Sequence, residues 1–255
     1  MTTSPKRTTM RGLKDQFRME RRREVLDAAL QIVNESGLVA LTMGGVADVL
    51  GCGTGTIYQH FGSKGALIAD LQREAIEVIT SSLRLSQANV DEALAAAEPS
   101  ADEALVALTR LLAAVRFWIA AETRFPQEID LSRRIFIDPT LRLDDDDAAR
   151  ILPSGLQLLD MSRQVVEDAQ EAGAVRPGVS LRRAVVVIAA TTGVLMTSGL
   201  DRWDAELFNG PSLARELTHD LLTGWGADEA RLAVADGVVA ALVEGDRLVP
   251  EVRER

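Results

Sequence analysis

The sequence predicts an all-α protein: a small N-terminal three-helix domain built around a helix-turn-helix, followed by a larger helical domain. Three observations carry this expectation. Apolar residues recur at the three- and four-residue spacing of helices, no segment of useful length alternates with the two-residue period of a strand, and two short helical segments near residue 50 flank a glycine-centred turn. A chain of 255 residues, 47% of them hydrophobic, is long enough to bury a sizeable core in a small domain joined to a larger one.

The elements follow in order. Val25, Leu26, Ala29, Leu30, Ile32 and Val33 make one stripe of a helix over residues 18–36, and Gly37 suits the left-handed position that ends it. Thr42 is placed to cap a second helix, Met43 to Leu50, with Val46, Ala47, Val49 and Leu50 turned inward. Gly51-Cys52-Gly53 then interrupts the pattern, with Cys52 as a small buried spacer. Thr54 to Phe61 supplies a third short helix with Ile57 and Phe61 as core, and Ser63 caps a long helix starting near Lys64. Further on, Leu105, Leu108, Leu112, Val115 and Ile119 mark one helix, and Leu158, Leu159, Val165 and Val166 another. Prolines 99, 126, 139, 153, 177 and 211 predict breaks, leaving about six C-terminal helices. The uncharged run Ala184–Leu200 contains Thr191, Thr192, Ser198 and two glycines and falls short of the roughly 20 apolar residues of a membrane span, so it reads as a buried helix. A last helix is expected from about Asp228 to Val243. The domain limits are then a basic flexible arm at 1–17, a helix-turn-helix domain at 18–66, a helical domain at 67–226, and an extra helix and tail at 227–255.

Charge is divided between the two ends. The net charge is −10, yet residues 1–73 hold ten Lys and Arg against seven Asp and Glu, leaving eighteen against thirty-one in residues 74–255. A basic end on an acidic protein points to a nucleic-acid partner at that end. One cysteine and two histidines leave little for a disulfide framework or a zinc centre, and no cofactor is expected. No Ser-His-Asp, Cys-His or paired-carboxylate set suggests an enzyme. Asp144–Asp147 reads as a solvated loop or the acidic first turn of a helix, since EF-hand spacing is missing. The polar, basic first 24 residues resemble no export signal, so the expected location is cytoplasmic, with no membrane partner.

The stretch Leu41–Leu67 has the proportions of a DNA-reading helix-turn-helix. It resembles the N-terminal domain of the TetR family in particular: Gly37, Thr42, Val46-Ala47, Gly51, Thr56-Ile57-Tyr58-Gln59-His60-Phe61 and Ser63-Lys64 stand in that family's register over about residues 20–70. The resemblance implies that Thr42, Tyr58 and Lys64 bind phosphates. Thr54, Thr56, Gln59 and His60 lie on or near the exposed part of the recognition helix, where Gln pairs with adenine and Thr meets a thymine methyl or a phosphate. Tyr58 as a core residue and His60 as a capping or packing residue stay open as alternatives. Gly44, Gly45, Gly53 and Gly55 depart from the family by offering only backbone where relatives carry polar side chains.

For the rest of the chain, the resemblance implies a dimer, which the uncharged run Ala184–Leu200 fits, although a purely intramolecular core helix stays open for that run; a ligand is implied by the resemblance alone. Helices at Leu181–Gly199 and Leu213–Trp225 would pair with their copies in a homodimer, setting two recognition helices about 34 Å apart on a palindromic double-stranded DNA operator. A small-molecule effector would bind the C-terminal domain and control DNA binding, most simply by releasing a repressor; a ligand-independent DNA-binding regulator of the same fold and a helical ligand carrier that binds no DNA stay open as alternatives. Apolar wall candidates are Phe117, Trp118, Phe136 and Met161, with Arg116 or Arg124 able to orient an acidic group. Each of these also fits ordinary core or surface.

Overall fold

The computed structural model describes residues 10–96, 101–137 and 145–252, and every regular element among them is helical. The chain forms two compact units: unit 1 comprises residues 1–74 and 138–151, and unit 2 comprises residues 75–137 and 152–255.

Unit 1 contains α1 (Met10–Ser36), a 3-10 turn (Leu38–Ala40), α2 (Met43–Val49), α3 (Thr54–His60), the start of α4 (Lys64–Ala95) and the start of α7 (Asp145–Glu171). Its core joins Val25, Leu26 and Ala29 of α1 to Val46 and Ala47 of α2, Ile57 and Phe61 around α3, and Leu67 and Leu71 of α4, all buried. Gly37 ends α1 at φ 79°, the left-handed backbone that its position required. Two details depart from expectation. The first helix starts at Met10, because Leu13–Glu24 is rich in Lys, Arg, Glu, Gln and Met, which hold helical geometry without packing. Residues 1–9 of the expected arm lie outside the described residues. Val49 is 48% exposed instead of facing inward. With 100° per residue, Met43, Val46, Ala47 and Leu50 centre on one side of α2, and Val49 points about 110° away from it.

Unit 2 is organised around α5 (Glu103–Arg124), which packs against α6 (Pro126–Ile137), α8 (Ser180–Leu195), α9 (Gly210–Gly224) and α10 (Glu229–Glu244). Leu108, Leu111, Leu112, Val115, Phe117 and Ile119 of α5 are all buried. Among the described residues α5 is the one helix long and apolar enough to cross a membrane, and most of that stretch lies inside the protein as a core helix does. Pro153 does not break the chain as expected but sits inside α7. The ring removes one helical hydrogen bond, and buried Ile151 and Leu158 on either side hold the helix through it. The uncharged run divides into α8 and a 3-10 segment, Met196–Leu200. Helix α8 is buried on one face only: Ala184, Val187, Thr191 and Leu195 point inward, while Leu181, Val185 and Val186 are 45%, 46% and 43% exposed.

Candidate nucleic-acid interface

Short helices need their ends satisfied, and here the sequence supplies each cap locally. Thr42 Oγ1 accepts the Gly45 N–H at 2.9 Å, starting α2. The helix closes on Gly51, at φ 62°, with the Gly51 N–H donating to the Asp48 carbonyl and the Cys52 N–H to the Ala47 carbonyl, the paired bonds of a Schellman turn. Half-buried Cys52 sits in this turn. Ser63 Oγ accepts the Ala66 N–H at 2.9 Å and starts α4. Between these caps, Ile57 and Phe61, 0% and 1% exposed, anchor α3 to the core and fix which of its faces is outward.

That outward face carries Thr54 and Tyr58, one helical turn apart, with Gln59 next to Tyr58, which is 53% exposed. The tyrosine is therefore a surface residue rather than a core one. Thr42 and Lys64 are exposed at the starts of α2 and α4, while Thr56 and His60 are half-buried. The glycines at 53 and 55 are exposed too, so backbone rather than side chain is offered there.

Arg22 of α1 was legible in the sequence only as one of a basic run, and the structure gives it a separate task. Its guanidinium pairs with buried Asp70 of α4, donates to the His60 carbonyl at 2.6 Å, and lies 4.0 Å from the centre of the Phe61 ring. One side chain thus ties α1, the end of α3 and α4 together. Arg18, Arg21 and Arg22, spaced three and four apart, share a face of α1, and that spacing was the signal that could have set them beside α3. Burial lowers the His60 pKa below its ordinary value, and Arg18, Arg21 and Arg22 lower it further. The imidazole is neutral at pH 7 and its protonation is easier in the unfolded chain. Stability from this group is therefore complete above about pH 6.5 and is lost as pH falls from there toward the folded-state pKa. Acidification from pH 7.5 to 5.5 is expected to lower amide protection in α3 more in the wild type than in His60→Gln; equal losses in hydrogen exchange would contradict this.

In unit 2 the two arginines considered for a ligand are held by other partners. Arg116 pairs with Asp236 of α10 at 2.5 Å, and Arg124 with Glu251 at 2.9 Å and Asp246 at 3.5 Å. Phe117 is fully buried core, packed edge-on against half-buried Trp118 with ring centres 6.1 Å apart. Met161 is half-buried, and the side chain of Phe136 lies outside the described residues. Of the candidates whose side chains are described, Trp118 borders the small apolar cavity of about 20 Å³ between α5, α7 and α8, with Leu111, Ala114, Val115, Val166 and Ile188.

Residues 25–71 match the family model of bacterial regulatory proteins, tetR family. No curated protein matches the chain. Solved structures similar to it include MbdR, a regulator from Azoarcus sp. CIB, 25% identical with a TM-score of 0.54 over 80% of this chain and 98% of that one. SmeT, the repressor of a Stenotrophomonas maltophilia multidrug efflux pump, is 19% identical with a TM-score of 0.53 over 77% and 87%. Reduced NemR of E. coli is 15% identical with a TM-score of 0.55 over 79% and 97%.

Proposed function

We propose that the N-terminal domain of this chain, whose residues 25–71 match the tetR family model, binds DNA, and that the protein is a homodimeric transcriptional repressor, binding a palindromic operator and releasing it when a small molecule occupies unit 2. The observation that carries the DNA-binding part is the exposed row Thr54, Tyr58, Gln59, backed by buried Ile57 and flanked by exposed Thr42 and Lys64. A helix so presented enters a major groove while hydroxyl, phenol and ammonium groups at its sides hold phosphates. The acidic balance of residues 74–255 repels DNA and confines binding to this end. A protein that acts on the chromosome shares its compartment, so the location that goes with this function is cytoplasmic.

The open apolar face of α8, Leu181, Val185 and Val186, supports self-association, since a two-fold copy would cover the same patch on both subunits. Repression, rather than activation, is proposed by analogy with SmeT, itself a repressor. The effector would widen the apolar space beside Trp118, whose lining favours an uncharged molecule.

DNA selected from a random-sequence pool by the full chain is expected to contain an inverted repeat. Lys64→Ala should then weaken binding to every sequence about equally and lower the salt slope by about one per subunit, whereas Gln59→Ala should relax preference at one base per half-site by about 1–3 kcal/mol. Recovery of no preferred sequence at moderate salt would overturn the proposal.

A further inference from the structure

The positive end of α4 is served by an acid from a distant part of the chain. The amino end of a helix carries about half a positive charge, and acids in the first turn ordinarily answer it. The first turn of α4, Lys64-Gly65-Ala66-Leu67, contains none. Asp147, in the first turn of α7, is only 5% exposed, and its Oδ2 occupies the place that a Cβ on Gly65 would need. Gly65 is glycine for room, since its backbone is ordinary helix. A carboxylate so buried is stable only when its charge is answered, and the start of α4 lies against it. Arg150, one turn further along α7, stands 3.9 Å from Asp147 and 3.8 Å from Asp70, the same aspartate that pairs with Arg22. Asp145 and Asp146 beside it are exposed, so among the described acids of that run Asp147 is the buried one.

We propose that Asp147 is a positioning residue for DNA recognition: its carboxylate supplies α4 with the first-turn acid that Gly65 omits. It thereby steadies Ser63-Lys64 and, through Arg150, Asp70 and Arg22 in turn, the end of α3. The inference rests on the DNA-binding function proposed above. It also gives α7 a second task, because the same helix carries Ser162, Val165 and Val166, which border the apolar cavity of unit 2.

The test uses the full chain and the DNA fragment that the wild type selects from a random pool, with hydrogen exchange at residues 65–68 as a second readout. Asp147→Ala and the isosteric Asp147→Asn are each expected to weaken binding roughly 3- to 10-fold and to speed exchange at the start of α4. Gly65→Asp alone, which sets a second carboxylate against Asp147, should also weaken binding. Combined with Asp147→Ala, however, Gly65→Asp supplies the acid from the helix itself and should restore affinity to within about twofold of wild type, a non-additivity that marks direct coupling. Wild-type affinity and exchange in Asp147→Asn, or no recovery in the double variant, overturns the inference. Failure of the wild type to select any DNA would refute the functional proposal instead, while the exchange readout would still decide the role of Asp147.

Discussion

Truncation after Ala227 is expected to leave a chain that does not fold to a soluble, cooperative state. The removed segment contributes Leu232, Val239, Leu242, Leu248 and Val249 to the core, each no more than 6% exposed, together with fully buried Ala235. Burial of a large aliphatic side chain stabilises by about 1.5–3 kcal/mol, so five of them reach the order of 10 kcal/mol even after discounting for a compact unfolded state. That equals the whole stability of an ordinary domain, about 5–15 kcal/mol. The segment also accepts hydrogen bonds at its own carbonyls, from Ser82 Oγ to Pro250 at 2.7 Å and from Asn89 Nδ2 to Arg247 at 2.8 Å. Ion pairs are conspicuous along it, including Arg231 with Asp102 at 2.9 Å and Arg247 with Glu92 at 2.5 Å, but such exposed pairs contribute about 0–1 kcal/mol each. Apolar burial therefore decides the outcome, and Arg231→Ala should shift the thermal midpoint little. Soluble expression and the melting of the truncated chain by circular dichroism check this. A midpoint within a few degrees of the full chain would show that α10 is an accessory rather than part of the core.

Arg22→Ala is expected to give the largest single-residue loss in the DNA-binding unit, about 2–4 kcal/mol. Removing one partner of a buried ion pair costs about 3–5 kcal/mol, because the remaining charge loses its compensation; with the Arg22 side chain 32% exposed and Arg150 still 3.8 Å from Asp70, the loss sits at the lower end of that range. Loss of the bond to the His60 carbonyl and of the contact with the Phe61 ring adds to it. Arg22→Lys should recover only a fraction, since an ammonium cannot make the forked contact to Asp70 and the carbonyl while lying on the ring. Arg22→Leu/Asp70→Leu should lose less than Arg22→Ala, because no buried carboxylate then depends on the more distant Arg150 alone. Tryptophan fluorescence would miss the effect, as the three tryptophans, 118, 203 and 225, lie in unit 2. Hydrogen exchange at residues 54–61 reads it directly, and unchanged protection there would show that Arg22 is an ordinary surface cation.

Much of the DNA-reading unit was legible because its instructions are local. A threonine or serine cap acts on an amide three residues on, a left-handed glycine closes the helix it follows, and Ile57 and Phe61, four apart, choose the buried face of α3 and thereby the exposed one. Such signals span one helical turn, so sequence alone determined the helix-turn-helix and the helical class of the remainder; of the residues it set outward on α3, Thr54 and Gln59 are exposed while Thr56 and His60 are half-buried, and the exposure of Tyr58 was decided by the structure. Partnership between distant side chains has no local signature, and only the tertiary structure decided it. Arg22 meets the His60 carbonyl 38 residues away, Arg116 meets Asp236 across 120, and Asp147 comes from α7 to the start of α4. The physical reason is that a charged side chain reads the same in a solvated run as in a buried pair until packing decides whether water reaches it.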